Sequence, residues 1–348
     1  MKKQILKAAF FGDTDSALEI RFLERSEREG MLARMFTAER RARIAEHCKI
    51  HPHVITRDNF ARHLPDLETV DVVFSTWGML PLTAEEIARL PNLKIIFYAA
   101  GSVQGFAAPY LAAGVRIVSA AAANAVPVAE FTLAQILLAN KGYFRNLREY
   151  DRPETIHTAF RGDGNYNQTV ALLGLGTIGR LTVERLKPFQ IRILAFDPFL
   201  SDECAAELGV EKVELAEAFR RGMVVSNHLA NKPATRGMLR KEHFEAMPPG
   251  AVFINTGRGA TVDEPAMLDV MQARPDLTAL LDVTDPEPPE KDSPLFSLPN
   301  VLVSSHIAGS INGEVQRLAD HVIDEFLRWH AGQPLQSEVT ADRLNTMA

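Results

Sequence analysis

Short apolar runs alternate along the chain with longer segments in which apolar residues recur every three or four positions. Gly, Pro, Asp or Asn flank the runs, which is typical of parallel strands that are covered on both faces. The predicted strands are 5–11, 70–75, 93–98, 116–118, 169–173, 191–196, 223–227, 252–255, 278–282 and 301–304. Their alternation with helical segments predicts an α/β fold.

Two long helices are predicted from apolar residues at helical spacing. The first begins just after Asn124, runs from Val126 to Asn146 and ends in a basic turn. The second runs from about Ile311 to His330. We expect both to be packing elements, and the first is also a candidate for a subunit interface.

A glycine-rich segment follows the predicted strand 169–173 and opens a helical segment. Gly174 permits a tight turn, Gly176 lets the backbone approach a pyrophosphate, and Gly179 allows close helix–strand packing. The helix N-terminus offers N–H groups to phosphates, and its first residues are Thr177 and Ile178. The pattern predicts a dinucleotide-binding turn.

An acidic residue strengthens this prediction, because three glycines alone are a weak signal in a chain with 21 of them. Asp197 follows the strand 191–196 and lies 18 residues after Gly179. A carboxylate there would accept hydrogen bonds from the ribose hydroxyls and would repel a 2′-phosphate. The sequence therefore predicts that NAD is the cofactor, with NADH preferred over NADPH.

The glycine loop lies near the middle of the 348-residue chain, so the nucleotide domain is not N-terminal. The length favours two domains. We predict a discontinuous substrate domain of residues 1–120 plus 307–348, and an NAD-binding Rossmann domain of residues 121–306. Both would be Rossmann-like or flavodoxin-like domains with parallel sheets, and the active-site cleft is expected between them.

Three polar residues follow predicted strands in the cofactor-binding half: Arg258, Glu287 and His306. Each has a structural alternative, since Arg258 could position phosphates or be solvated. Glu287 could be a solvated loop acid, and His306 could be a capped structural residue. Their expected convergence at the end of the sheet that holds the nicotinamide favours a chemical role.

Hydride transfer to a carbonyl needs a cation near the oxygen and a proton donor within hydrogen-bond reach. Histidine is the natural donor because its charge changes near neutral pH. Glu287 beside His306 would orient the imidazole and favour its protonated form. Arg258 would hold a substrate carboxylate with its planar guanidinium.

Four motifs resemble the hallmarks of the D-isomer-specific 2-hydroxyacid dehydrogenase family. They are Leu-Gly-Leu-Gly-Thr-Ile-Gly-Arg, Phe-Ile-Asn-Thr-Gly-Arg-Gly, Leu-Asp-Val-Thr-Asp-Pro-Glu-Pro and Ser-Ser-His-Ile-Ala-Gly. The resemblance implies that His306 is the acid/base, with Glu287 as its partner and Arg258 as the substrate anchor.

The same resemblance implies further cofactor contacts. Asp282 would meet the nicotinamide carboxamide, and Thr256 and Gly309 would supply nearby backbone contacts. Glu287 disfavours formate as the substrate, because formate dehydrogenases of this fold resemble a version with Gln at that point.

The substrate carboxylate in the family also meets backbone amides of a glycine-containing loop, which here is Ala100, Gly101 and Ser102 followed by valine. Where many members have Gly-Ala-Gly-x-Asp, this chain has Ala-Ala-Gly-Ser-Val. Trp77 is a candidate wall of the substrate side, and a packed aromatic is the alternative.

The sequence predicts an NAD(P)-dependent oxidoreductase that acts on CH–OH donors and interconverts a 2-keto acid and a D-2-hydroxy acid. The alternative is an NAD(H)-sensing regulatory binding protein on the same fold. Only about 18 residues follow His330, which disfavours the long-tailed regulatory type and the long, serine-controlled phosphoglycerate dehydrogenases.

Composition and net charge limit which binding partners and which cellular compartment we expect. The net charge of −6 gives no attraction to nucleic acid or an anionic membrane, and no uninterrupted apolar run is long enough for a membrane span. Two cysteines without a CxxC motif fit a reducing cytoplasm. The expected partners are a small 2-keto or 2-hydroxy acid and, as the family implies, a second copy in a homodimer.

The sequence also predicts no metal site. His51 and His53 form a lone His-x-His near Cys48, without the further spaced ligands of a zinc site.

Overall fold

The computed structural model of the chain describes residues 5–12 and 31–346. They divide into two compact units. Unit 1 contains the described residues up to Asn124 and those from Ser310 onward, and unit 2 contains Ala125–Gly309. Residues 1–4, 13–30 and 347–348 of the predicted substrate domain lie outside the described ranges.

Every strand that the sequence predicts is present, with ends that differ by at most two residues. The strands are β1 (Leu6–Phe11), β2 (Cys48–Ile55), β3 (Val72–Ser75), β4 (Ile95–Tyr98), β5 (Arg116–Ser119), β6 (Thr169–Leu173), β7 (Arg192–Phe196), β8 (Glu211–Lys212), β9 (Val224–Asn227), β10 (Val252–Asn255), β11 (Thr278–Leu281), β12 (Val301–Val303) and β13 (Glu338–Val339). The sequence did not predict β2, β8 or β13. β2 contains alternating polar residues and Pro52, so it is not one of the continuous apolar runs that predict strands here. The other two strands are only two residues long.

Helices connect most of these strands. They are α1 (Met31–Met35), α2 (Ala38–Ala45), α3 (Arg57–Leu67), α4 (Ala84–Ala88), α5 (Ala107–Ala112), α6 (Ala121–Asn140), α7 (Tyr143–Glu149), α8 (Ile156–Ala159), α9 (Thr177–Leu186), α10 (Asp202–Leu208), α11 (Leu215–Arg221), α12 (Lys241–Glu245), α13 (Glu264–Ala273), α14 (Val315–His330) and α15 (Ala341–Thr346). The prediction of one helix from Val126 to Asn146 is wrong, because α6 begins at Ala121 and a turn at Lys141 and Gly142 separates it from α7.

The sheet of unit 1 has the strand order β13-β5-β4-β3-β1-β2. All neighbours are parallel except β13, which pairs antiparallel with β5. The order of the first five strands is the flavodoxin-like one. The second predicted helix is confirmed as α14, after a short 3-10 turn at Asn312–Glu314.

Helix α14 packs back onto the sheet of unit 1 through aromatic contacts. The ring centroid of Phe326 lies 5.3 Å from that of Phe74 and 5.6 Å from that of Phe97. Arg40 on α2 adds two hydrogen bonds of 2.7 and 2.8 Å to the carboxylate of Asp320. These contacts explain why the C-terminal segment belongs to unit 1.

The sheet of unit 2 has the order β12-β11-β10-β9-β6-β7-β8, with every pair parallel. The chain winds outward from β6 in one direction and then from β9 in the other. Ligands of such sheets bind at the carboxyl ends of the strands, where the order reverses. The loops after β6 and β9 meet at this point.

By length and composition, α6 is the one helix among the described residues that is long and apolar enough to cross a membrane. The sequence-based expectation considered only uninterrupted apolar runs, and polar residues interrupt this helix. Core helices of soluble proteins also pass such a test. Ile136 and Ala139 of α6 are buried in the core of unit 2, and 39% of the apolar window of the helix is buried.

Candidate active site

The glycine loop after β6 has the backbone that a dinucleotide turn requires. Gly174 has φ of 90°, and a β-carbon there would lie 2.9 Å from the backbone of His228. A β-carbon at Gly179 would collide with the carbonyl oxygen of Gly174. The space beside Gly176 is open, with no atom of the described residues within 4 Å of the position of a β-carbon.

Helix α9 begins at this loop without a side-chain cap, because its N-cap residue is Gly176. The first N–H groups of a helix lack partners within the helix and attract anions. Gly176 and Thr177 are exposed, and Ile178 is half-buried. The open space and the uncapped N–H groups therefore fit the pyrophosphate of a dinucleotide.

Asp197, at the end of β7, is fastened beside the glycine loop. One carboxylate oxygen accepts a 2.7 Å hydrogen bond from the N–H of Leu175, and the other accepts a 2.8 Å bond from the N–H of Phe199. A carboxylate can accept about four hydrogen bonds, so both oxygens retain capacity for another donor. The arrangement places a negative charge next to Gly174 and Gly176.

A buried amide network supports the loop that carries Arg258. The side-chain N–H of Asn227 donates to Asn255 (3.0 Å) and to Thr261 (2.8 Å). The hydroxyl of Thr261 in turn donates to the carbonyl of Arg258 at 2.8 Å. Gly259 packs so closely on the backbone of Thr284 that a β-carbon would collide with it. These contacts fix the backbone before and after Arg258.

The guanidinium of Arg258 lies in a desolvated environment near Glu287. Its Nη1 donates a 2.7 Å hydrogen bond to the carbonyl of Gly257. Burial lowers the pKa of Arg258 from its usual value, and the charge of Glu287 partly offsets this effect. Arginine stays protonated in proteins, so the group remains a cation.

His306 and Glu287 form a close pair. Nδ1 of His306 lies 2.6 Å from Oε1 of Glu287, and both side chains are mostly shielded from solvent. His306 has φ of 59°, a left-handed conformation that costs a non-glycine residue about 1–2 kcal/mol. Neighbouring contacts must therefore hold this backbone in place.

Asp282, at the end of β11, supplies those contacts. One carboxylate oxygen accepts from the hydroxyl of Ser304 (2.6 Å) and the N–H of Ile307 (2.9 Å). The other accepts from the N–H of Ala308 at 2.9 Å. Asp282 is only 2% exposed. Asp282 thus holds the loop that carries His306, and its contact with the nicotinamide carboxamide stays a prediction.

The model for the D-isomer specific 2-hydroxyacid dehydrogenase NAD-binding domain matches residues 133–308. This chain belongs to the D-isomer-specific 2-hydroxyacid dehydrogenase family. Its matched segment contains the glycine loop, Asp197, Arg258, Glu287 and His306. The predictions of the family, of the two-domain α/β fold and of an NAD-binding domain are confirmed.

Curated relatives of this dehydrogenase family member include two named D-3-phosphoglycerate dehydrogenases. The Archaeoglobus fulgidus protein is 30% identical over 288 residues, which is 82% of this chain and 54% of the relative. The Mycobacterium tuberculosis protein is 33% identical over 277 residues, which is 78% of this chain and 51% of the relative. The chain thus spans about half the length of the curated relatives it matches.

Solved structures of the dehydrogenase family share the fold. The D-mandelate dehydrogenase of Rhodotorula graminis superposes with a TM-score of 0.76 at 20% sequence identity. The superposition covers 96% of this chain and 97% of that one.

Unlike Arg258, the residues of the predicted substrate loop and Trp77 belong to unit 1. Ala100 is buried, Gly101 is half-buried and Ser102 is exposed. The hydroxyl of Ser119 donates to the carbonyls of Ala100 (3.0 Å) and Gly101 (2.6 Å), which fixes this loop. Trp77 is half-buried and packs against the apolar clusters on both faces of its sheet. The packed alternative for Trp77 therefore describes its contacts.

Of the two residues predicted to supply backbone contacts to the cofactor, Thr256 is buried inside unit 2 and Gly309 lies at its C-terminal end. Thr256 is buried, and its hydroxyl lies 3.2 Å from that of Thr132 and 3.3 Å from Nδ1 of His228. Gly309 is the last residue of unit 2 and directly follows Ala308.

Sequence reasoning missed the residues that position this site. Asn227 and Asn255 are buried and end adjacent strands in the same register. Two asparagines that close apolar strands were the available signal, since buried amides need partners. Ser304, two positions before His306, also positions the site through its hydrogen bond to Asp282.

His228 gives the fold of unit 2 a pH dependence. Burial lowers its pKa from 6.5 to about 4, and Nε2 lies 3.0 Å from the hydroxyl of Ser226. The unfolded chain binds a proton below pH 6.5 that the fold excludes, so stability falls as the pH drops from 6.5 toward 4. At about pH 5 this effect should cost about 2 kcal/mol of unfolding free energy.

Urea unfolding of the wild type and of His228→Gln, at about pH 5 and pH 7.5, measures this loss. The variant should lose less stability on acidification than the wild type does. The exposed His157→Gln should behave as the wild type. An equal acid loss in the wild type and His228→Gln would contradict the assignment.

Proposed function

We propose that this dehydrogenase-family member interconverts a 2-keto acid and a D-2-hydroxy acid with NAD(H). The observation that supports this most directly is the 2.6 Å contact between Nδ1 of His306 and Oε1 of Glu287. Such a pair fixes the orientation of an imidazole and the nitrogen that it presents to a substrate. Together with the cation of Arg258, it supplies the groups that carbonyl reduction needs.

His306 is proposed to be the acid/base. The glycine loop and Asp197 would hold the dinucleotide, whose reduced nicotinamide would supply the hydride for the carbonyl carbon of the keto acid. Nδ1 of His306 contacts Glu287, so Nε2 is the nitrogen proposed to give the proton to the carbonyl oxygen. In the reverse direction the neutral imidazole takes the hydroxyl proton, and low pH should favour reduction.

Arg258 is proposed to hold the substrate. A guanidinium offers five N–H donors in one plane, which suits a carboxylate and a neighbouring carbonyl oxygen. Desolvation strengthens such contacts because fewer water molecules compete. The Ala100–Ser102 loop is proposed as a second carboxylate contact, because the N–H groups of Gly101 and Ser102 have no acceptor among the described residues.

A substrate panel tests this proposal. NADH consumption should be followed with glyoxylate, pyruvate, hydroxypyruvate and phenylpyruvate, and NAD reduction with 3-phosphoglycerate, which the names of the curated relatives indicate. Turnover of at least one compound is expected. If none is turned over, the enzyme proposal fails and the regulatory NAD(H)-binding alternative gains support.

Asp197 is proposed to make the protein prefer NADH over NADPH, because its charge would repel a 2′-phosphate. Asp197→Asn keeps the shape of the side chain and one of its two backbone hydrogen bonds but removes this charge. We expect the ratio of the NADPH and NADH dissociation constants to fall by at least about tenfold. Fluorescence titrations of the reduced cofactors measure both constants without any substrate.

The exposed acid Asp202 provides a matched control, since it begins α10 five residues after Asp197. Asp202→Asn should leave the ratio of the two dissociation constants as in the wild type. An unchanged ratio in Asp197→Asn would refute the assigned role.

We also propose a homodimer through unit 2. Seven of the thirteen exposed large apolar side chains among the described residues fall between positions 138 and 166. They are Leu138, Tyr143, Leu147, Tyr150, Ile156, Phe160 and Tyr166. Concentrated exposed apolar surface marks an interaction site. Sedimentation equilibrium should give the mass of two chains, and the mass of one chain would contradict the proposal.

A further inference from the structure

The edge strand of the unit 1 sheet is irregular at a His-Pro-His sequence. The pairing of β2 advances from Ile50 to Val54 while its neighbour β1 advances only from Ala8 to Phe10, so β2 bulges by two residues. Bulges at sheet edges re-aim side chains and are common beside functional sites. The residues in the bulge are His51, Pro52 and His53.

A third histidine, from the next helix, lies against this bulge. Helix α3 carries His63 and, nearly one turn later, Asp66. The ring centroid of His63 lies 5.2 Å from that of His51 and 5.0 Å from that of His53. Nε2 of His51 lies 3.7 Å from the carboxylate of Asp66. Four candidate metal ligands thus converge from two elements.

The spacing of these groups suits a transition metal. One ligand atom from each of His51, His63 and Asp66 lies within 4.8 Å of the others. Around a tetrahedral zinc ion with Zn–N distances of about 2.0–2.1 Å, imidazole centroids are about 5 Å apart. The three histidine rings are separated by 5.0, 5.2 and 5.8 Å. Small side-chain rotations would therefore bring the nitrogens to bonding distance.

His51 already has the orientation of a ligand. Its Nδ1 lies 3.0 Å from the carbonyl oxygen of His53 and 3.3 Å from the N–H of the same residue. The two contacts require opposite tautomers, and a metal bound through Nε2, the nitrogen that faces Asp66, would select the one in which Nδ1 donates to the carbonyl of His53. Metal-bound histidines usually donate their second N–H to such a carbonyl. Only 10% of the His51 side chain is exposed, so packing restrains it.

Cys48 is not part of this ligand set. Burial raises the pKa of its thiol to about 12, and its Sγ contacts the carbonyl oxygen of Ile44 at 3.3 Å. The available donors are therefore imidazoles and one carboxylate, a set that suits Zn²⁺.

We propose that His51, His63 and Asp66 bind a zinc ion, with His53 completing the site. All four residues belong to unit 1, whereas the proposed catalytic residues belong to unit 2. The sequence predicts no metal site because His51 and His53 form only a lone His-x-His in it. In the folded chain α3 contributes His63 and Asp66. A bound ion would link this helix to the edge strand β2.

Direct titration tests the proposal. The full-length chain, without a histidine tag, is treated with a chelator and titrated with Zn²⁺ against a chromophoric competitor. We expect one tight equivalent per chain. Loss of a residue that merely orients a metal ligand costs about 10–100-fold in affinity, so His51→Gln/His63→Gln should lose at least about 100-fold. His157→Gln, an exposed histidine of unit 2, should bind as the wild type does.

Arg62 offers a variant that should tighten binding. Its guanidinium lies 3.3 Å from Nε2 of His63, where its charge would oppose a cation. Arg62→Gln should therefore raise the affinity for Zn²⁺ by at least about threefold. Co²⁺ should give the visible absorption bands of a tetrahedral site in the wild type and not in the double variant.

The proposal is overturned if the wild type binds Zn²⁺ no more tightly than His51→Gln/His63→Gln does. It is equally overturned if the Co²⁺ spectrum of the wild type is that of the hydrated ion. Circular dichroism and NADH binding of the double variant confirm that both units remain folded. Zinc binding is measured without turnover, so its failure is separate from a failure of the proposed enzymatic function.

Discussion

His306→Gln should lower the rate of NADH-dependent keto acid reduction by about 10²–10⁴-fold, the usual contribution of a general acid. Glutamine can still donate a hydrogen bond to Glu287, but it has no proton to give to the carbonyl oxygen. Binding of NADH should be unchanged, because the cofactor contacts proposed for the glycine loop and Asp197 are intact. Steady-state kinetics and NADH fluorescence titration measure the two effects separately.

Two further variants make the result specific to the proposed proton transfer. Glu287→Gln should lose part of the rate, since an amide can still form a hydrogen bond with Nδ1 of His306 but holds the ring less strongly than a carboxylate does. His157→Gln should retain the wild-type rate. If His306→Gln reduces the keto acid as fast as the wild type, His306 is not the acid.

Arg258→Lys should lower kcat/KM for the keto acid by about 10²–10³-fold, comparable to the loss of one oxyanion donor. Lysine keeps the positive charge but cannot form two parallel hydrogen bonds to a carboxylate. Lysine also lacks the planar group that donates to the carbonyl of Gly257. We expect KM to rise, because the grip on the substrate carboxylate is lost, and kcat to fall with it.

Arg240→Lys is the matched control, because Arg240 is exposed and is the N-cap residue of α12 in the same unit. It should leave both kinetic constants unchanged. Wild-type kinetics in Arg258→Lys would show that Arg258 does not bind the substrate.

The strands of both units could be predicted because parallel strands buried on two faces are continuous apolar runs. β2 escaped prediction for the opposite physical reason. It is an edge strand in which only two of eight residues are buried, and its bulge at Pro52 breaks the alternation. The histidine cluster could not be predicted either, because His63 approaches His51 only after α3 folds against this edge strand.

The catalytic candidates were predictable because their motifs follow strands whose carboxyl ends meet at one edge. What holds them in place was not. The left-handed φ of His306 and the three hydrogen bonds to Asp282 depend on backbone conformation, which the residue types do not reveal. The break between α6 and α7 was missed because the apolar spacing continues across Gly142.

The anchoring of the His306 loop by Asp282 has an evolutionary consequence. Asp282 directly follows β11, so the sheet of unit 2 determines where the loop that carries His306 lies. The loop at Ala100–Ser102 lies in the other compact unit. Mutations that alter this loop, the proposed second contact of the substrate carboxylate, can therefore accumulate without disturbing the hydrogen bonds that hold the His306 loop. The two proposed parts of the site can in this way change separately.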